Sequence, residues 1–207
     1  MNKSNLADAH PTTGIVWAYR FEPDGSAELI PNDNVESALA SRDGAWIWVH
    51  LALADTRCRS WIALRAPVSE MAREVLAGPD RHLRLDILGQ EIVGVVPDLR
   101  QEFAQPGEDL VRLRFVMTER MLITARQRPA HSVETSRRAI ESGKRFPTAM
   151  SFLDSIVDQF ADAIAPWRSN SATSSIVPRT MSCMKIPTTS GRTSGAYGCR
   201  PFVSTGS

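Results

Sequence analysis

The sequence predicts one α/β domain, of the α+β kind, in which strands interleave with helices and pair largely antiparallel. Three observations predict it. The apolar spacing switches from the two-residue period of strands to the 3.6-residue period of helices and back again along residues 14–148. Two pairs of strand-like runs are joined by connections so short that they read as hairpins. Residues 149–165 carry an apolar stripe at Leu153, Ile156, Val157, Phe160 and Ile164, the spacing of one helical face.

Gly14–Phe21 is rich in β-branched and aromatic residues and ends at the turn-forming Pro23-Asp24-Gly25, which predicts a first strand. Asn34 has an N-capping side chain and precedes Val35 and Leu39, so a short helix is predicted over 34–40. Asp43-Gly44 turns the chain into Ala45–Leu51, whose near-continuous apolar character suits an inner strand covered on both faces. Helical spacing returns between Asp55 and Leu76. It places Trp61, Ile62 and Leu64 on one side of a first helix, and Val68, Met71, Val75 and Leu76 on one side of a second that starts at Pro67. Leu83–Leu88 and Glu91–Val96 form a hairpin around Gly89, the second strand stopping at Pro97-Asp98. Val111–Met117 alternates apolar and charged residues as a half-exposed strand does, and Thr118-Glu119-Arg120 returns it through Met121–Arg126. From Pro129 the period is helical, with Val133, Ala139 and Ile140 near one face; Gly143 stops this helix and Pro147-Thr148 starts the last.

The composition changes near Pro166. All 23 carboxylates lie in residues 1–166, together with 19 basic residues, giving that body a charge of −4. Residues 167–207 carry five basic residues, no acidic ones, and Ser or Thr at 15 of 41 positions, so they are expected to stay unpacked. The genetic code offers a specific origin. Suitable codons for Ser182–Thr193, read one base earlier, spell a peptide close to Val-Leu-His-Glu-Asp-Pro-Asp-Asp-Phe-Arg-Glu-Asn, and the same shift over Ser169–Arg179 continues the apolar spacing of the preceding helix. A frameshift near Pro166 accounts for both; a natural basic disordered tail is the alternative. The predicted organisation is a domain over 1–148, the start of a longer helix over 149–166, and a disordered basic tail over 167–207.

An acidic body gives no electrostatic reason to expect nucleic acid or anionic lipid as a partner. Cys58 stands alone in the body, which excludes an intramolecular disulfide framework there. Asn2-Lys3-Ser4-Asn5 lacks the apolar core of a signal peptide, and no run approaches the eighteen or so apolar residues of a membrane-spanning helix, so this chain alone is expected in the cytoplasm.

The order of segments resembles the amino-terminal cytoplasmic domain of the CorA-type metal ion transporters, most closely their ZntB-like zinc transporter branch. The matching text is Trp46–Leu51, Trp61–Leu64, Val111–Met117, Met121–Pro129, and Ser142-Gly143 to Pro147 with the amphipathic helix that follows. The resemblance implies a mixed sheet sandwiched by helices, a long stalk helix starting near Ala149, and two membrane spans with a Gly-Met-Asn signature at the pore entrance. It also implies assembly as a homopentamer in the inner membrane, with the present residues on the cytoplasmic side. The divalent cation, zinc or magnesium, enters as the transported ion and not as a resident cofactor. Neither a span nor Gly-Met-Asn occurs in these 207 residues. The expected function is therefore that of a cytoplasmic domain cut off before its membrane helices and not competent for transport alone. The alternative is a free-standing soluble binding module whose basic Ser/Thr-rich tail contacts an acidic partner or nucleic acid.

In that family context Glu108-Asp109 and the helical carboxylates Asp154, Asp158 and Asp162 are of interest. The last three recur every four residues and so share one helical face, making them the candidate metal residues for a hydrated divalent cation; the plainer reading is the wet side of an amphipathic helix. His50 lies near Asp55 and Cys58, three ligand types that suit zinc, but the spacing matches no metal motif, and a buried histidine with a satisfied ring nitrogen is expected. His10, His82 and His131 are isolated from one another. Cys58, flanked by Arg57 and Arg59, lacks any His or Asn signature of a catalytic thiol. Arg126, Arg128, Arg137 and Arg138 form a basic cluster expected to pair with Glu134 and Glu141. With no phosphate-cradling loop, nucleophile elbow, paired Cys-x-x-Cys or zinc-protease helix, no catalytic residue is assigned and the chain is not expected to be an enzyme.

Overall fold

The computed structural model describes residues 14–80, 82–100 and 110–171, with side chains as far as Ala165. These residues form β1 (Ile15–Phe21), β2 (Ala27–Ile30), α1 (Val35–Ala40), β3 (Trp46–Ala52), α2 (Thr56–Leu64), α3 (Glu70–Ala77), β4 (Arg84–Leu88), β5 (Glu91–Leu99), β6 (Leu110–Met117), β7 (Met121–Arg126), α4 (His131–Glu141) and α5 (Ala149–Ser171). The strands make one mixed sheet in the order β2-β1-β3-β7-β6-β5-β4, antiparallel throughout except where β3 runs parallel to β7. The α/β fold class stands, with its largely antiparallel sheet sandwiched by helices.

Strand periodicity explains the sandwich. Along β3, Ile47, Val49 and Leu51 enter a core with Trp61, Ile62, Ala72, Val75 and Leu76 of α2 and α3, while Trp46 and Trp48 enter a second core with Val133, Phe152 and Ile156 of α4 and α5. Both faces of β3 are thus covered, as its continuous apolar run requires.

Several expectations are corrected. Ala27–Ile30 is a strand that sequence reading passed over, because four residues show too little alternation. Asn34 precedes α1 without a side-chain cap bond. The second helix of the α2–α3 pair starts after Ser69, whose hydroxyl accepts from the Ala72 amide at 3.2 Å, and not at Pro67. Leu64 and Met71 are exposed. β5 continues through Pro97 to Leu99: β4 pairs only as far as Val95, so among the described residues β5 has no strand partner on that side beyond this point, where a proline's missing donor costs nothing.

β6 is not half-exposed. From Leu113 onward every residue is buried, including Arg114, because β5 and β7 flank it and helices cover both its faces. The Arg114 guanidinium donates to the carbonyls of Val75 and Gly78, each at 2.8 Å, and of Asp80 at 2.6 Å, so a cation closes the C-terminal end of α3, where helix carbonyls lack partners. Replacing it by Leu strands those carbonyls, and Arg114→Leu is expected to cost about 3 kcal/mol in urea unfolding, with Arg114→Lys intermediate.

In α5, Phe152, Leu153 and Ile156 are buried against the sheet, whereas Val157, expected in the same stripe, is exposed. The helix runs past Pro166 to Ser171. The expected disordered tail falls, from residue 172, outside the described residues, as do His10, Glu108 and Asp109.

Candidate functional site

The residues singled out by sequence include a buried network on β3 and β7 and an exposed face of α5, with others on α2 and α4. The parallel register sets His50 beside Thr124. Arg126 Nε donates to His50 Nε2 at 3.0 Å, which leaves the ring proton on Nδ1 to donate to Thr124 Oγ1 at 2.8 Å. Trp48 Nε1 donates to the same oxygen at 2.8 Å, and the Thr124 hydroxyl hydrogen points to the Val49 carbonyl at 3.4 Å. Trp17 stacks on the imidazole with centroids 4.7 Å apart. His50 is wholly buried, and that burial, with the Arg126 charge beside it, holds its pKa well below the ordinary 6.5. Both ring nitrogens are used, so His50 is the satisfied core histidine its sequence context predicts.

The sign of its pH effect follows. The unfolded imidazole takes a proton near pH 6.5 and the folded one does not, so the stability His50 contributes is complete above that pH and falls as pH drops below it. His50→Gln is expected to remove its share of this slope, up to about 1.4 kcal/mol per pH unit, in urea unfolding between pH 6.5 and 5.

Asp55 and Cys58 do not join His50. Asp55 caps α2 by accepting from the Arg57 amide at 2.9 Å and pairs with the Arg57 side chain. Cys58 is buried, and desolvation, reinforced by the Asp55 charge, pushes its thiol up to about 12, the opposite of an activated thiolate. Arg59 turns away to the Ala77 carbonyl.

Of the four basic residues expected to pair with Glu134 and Glu141, Arg137 and Arg138 do so, while Arg126 is directed to His50. Arg137 pairs with Glu134 at 2.7 Å and with Glu141, Arg138 reaches Glu134 at 3.5 Å, and Arg137 also lies over the Trp17 ring at 5.3 Å. Hydrogen bonding to Arg137 holds the Glu134 carboxyl below its ordinary range. Arg128 is exposed.

Asp154, Asp158 and Asp162 are all exposed on α5 and line an open groove of about 790 Å³ with His131, Lys144 and Arg145. Successive carboxylates one helical turn apart are spaced about 6 Å at Cβ. Among the described residues no three His, Cys, Asp or Glu side chains come close enough to hold a metal ion directly. A cation on this face keeps its water shell, and Lys144 and Arg145 compete with it.

Sequence reading missed Asp98, a buried carboxylate. It accepts from the Ser132 amide at 3.1 Å and hydroxyl at 2.8 Å, capping α4, whose own N-cap residue, Ala130, has no side-chain acceptor. Burial raises its pKa, opposed by those hydrogen bonds. Its position beside Pro97 disguised a strand residue as part of a loop.

Among the described residues no helix is long and apolar enough to cross a membrane. A sequence-family model described as CorA-like Mg2+ transporter protein matches residues 43–167. The zinc transport protein ZntB of Yersinia pseudotuberculosis is 23% identical over 147 residues, which cover 71% of this chain and 43% of that protein. The ZntB of Yersinia enterocolitica is 22% identical over the same length. The present chain therefore aligns with less than half of these relatives. Among solved structures, the full-length CmaX protein superposes with a TM-score of 0.68 at 20% identity, over 80% of this chain and 50% of that one. The ZntB cytoplasmic domain from Vibrio parahaemolyticus gives 0.61 at 14% identity, over 75% and 61% of the two chains. The CorA magnesium transporter from Methanocaldococcus jannaschii gives 0.53 at 12%, over 76% and 48%. At these identities the structures establish the shared fold.

Proposed function

The chain belongs to the CorA-like Mg2+ transporter family, and from that premise we propose that its folded part is the cytoplasmic domain of a ZntB-like divalent cation transporter, with α5 the start of the stalk that leads to the membrane. The observation that carries this reading is the place where the family match ends. It stops at residue 167, one residue after Pro166, beyond which the sequence holds no carboxylate. Up to that point α5 is docked by Phe152, Leu153 and Ile156, as a helix continuing out of the domain needs to be. The reading frame is lost there, and the stalk and pore are encoded in another frame. With no membrane span and no Gly-Met-Asn among them, these 207 residues are not expected to conduct by themselves.

Expression of these 207 residues in a strain lacking its zinc and magnesium transporters is expected to leave cation accumulation and efflux unchanged, while a gene with the frame restored after Pro166 changes them. Transport by the 207 residues alone contradicts the proposal.

Asp154, Asp158 and Asp162 belong to this reading as a hydrated-cation face. At a millimolar dissociation constant, 10 mM magnesium is expected to add about 1.4 kcal/mol of stability. The increment should vanish in D154N/D158N/D162N, measured as the magnesium-dependent rise in Tm; an equal rise in that variant removes the three aspartates from the account.

A further inference from the structure

β4 ends the sheet, with β5 on one side and no strand on the other among the described residues. Along it lies an apolar stripe that the fold leaves uncovered: Leu83 is 59% exposed, Leu85 66% and Ile87 76%. Leu85 pairs with Gly94 and Gly94 with Phe115, so the stripe lies on the α4–α5 side of the sheet but beyond the reach of either helix. Arg84 and Asp86 alternate with it and point to the opposite side. An open edge of this kind is a template for another strand unless charges or a cover block it.

We propose that this edge binds a second copy of the chain, β4 against β4, antiparallel about a two-fold axis through Leu85. The pattern Leu83-Arg84-Leu85-Asp86-Ile87 is complementary to itself in that arrangement. Leu83 of one copy faces Ile87 of the other, and Leu85 faces Leu85, so the two stripes form one apolar surface. On the other side of the sheet Arg84 faces Asp86, twice over. Among the described residues Arg84 has ion contacts of 3.3 Å to Asp80 and 3.7 Å to Asp86, its Nε lacks a hydrogen-bond partner, and Asp86 is half-exposed. Opposite charges directly across antiparallel strands stabilise the pair and like charges oppose it. The charge order selects this partner: a strand laid parallel would set Arg against Arg and Asp against Asp. Because a two-fold contact closes after two copies, it is independent of any ring that the stalk and membrane helices build.

Sedimentation velocity of the full 207-residue chain over a wide concentration range tests this. A reversible monomer–dimer equilibrium is expected. Asp86→Arg, which sets Arg against Arg on both sides of the axis, should weaken it by roughly tenfold or more. Arg84→Asp/Asp86→Arg restores the complementarity and should restore the dimer, and Leu85→Thr, which removes the contact on the axis, should weaken it. Leu85 is 66% exposed, Asp86 51% and Arg84 33%, and circular dichroism verifies that each variant remains folded. A chain that stays monomeric, larger assemblies in place of the dimer, or an Asp86→Arg dimer as tight as the wild type overturns the proposal.

Discussion

Phe152→Ala is expected to lower the unfolding free energy by about 3–5 kcal/mol. Phe152 is fully buried and is the hub of the aromatic cluster, with ring centroids 4.6 Å from Trp48, 4.8 Å from Phe146, 5.7 Å from Phe21 and 5.8 Å from Trp46. It is also one of only a few residues by which α5 is held to the sheet, so the loss falls on that helix as well as on global stability. Urea unfolding followed by tryptophan fluorescence gives the magnitude, and limited proteolysis should show cleavage within α5 appearing before the sheet is cut. Val157→Ala, on the exposed side of the same helix, should change neither by more than a few tenths of a kcal/mol. Equal effects of the two substitutions would show that α5 is not docked as described.

Gly25→Val is expected to cost about 3 kcal/mol or more, from left-handed backbone strain and steric overlap together. Gly25 has a φ of +81°, and a Cβ there would lie 2.8 Å from the backbone nitrogen of Phe146. That same amide donates to the Gly25 carbonyl at 2.9 Å, joining the β1–β2 turn to the segment that launches α5. A side chain at this position therefore pushes apart two segments more than a hundred residues distant in sequence. Gly44 separates the two causes: its φ is +88°, but the nearest atom to an added Cβ is Pro23 Cγ at 4.0 Å, so Gly44→Val should lose only the backbone contribution. Thermal unfolding of the two variants gives the comparison; equal losses would remove the Gly25–Phe146 contact from the account.

Much of the fold is legible where burial is dictated locally. The run Trp46–Leu51 has no polar face to offer water, so a central strand covered on both sides is its natural place, and the hairpins at Gly89 and at Thr118–Arg120 follow from the shortness of their connections. What escapes is settled by distant partners. Arg114 alternates with apolar neighbours like any solvent-facing charge, and nothing nearby in sequence reveals that its destination is the end of α3, more than thirty residues upstream. Pro97 looks like a strand terminator until the shortness of β4 exposes the side on which its missing donor falls. Leu64 and Met71 are apolar yet wet, because among the described residues nothing covers that side of either short helix.

The candidate site divides in the same way. That His50 is a saturated core residue was legible from its apolar strand, but its partners Thr124 and Arg126 become neighbours only through the parallel β3–β7 register. The shared face of Asp154, Asp158 and Asp162 follows from four-residue spacing, whereas the opposing charges of Lys144 and Arg145 in the same groove come from the loop before α5 folding back against it. Asp98 was hidden because a cap supplied from a distant strand leaves no signature at the helix start it serves.

Resequencing of the gene from the Ala149 codon to well past the stop codon, with translation of all three forward frames, tests directly whether the frame is lost after Pro166. Another frame is expected to continue α5 into an acidic stalk, two apolar spans and Gly-Met-Asn. If every frame closes soon after Ser207 without such text, the basic tail is native, the frameshift is wrong, and the domain is a free-standing soluble module of the family.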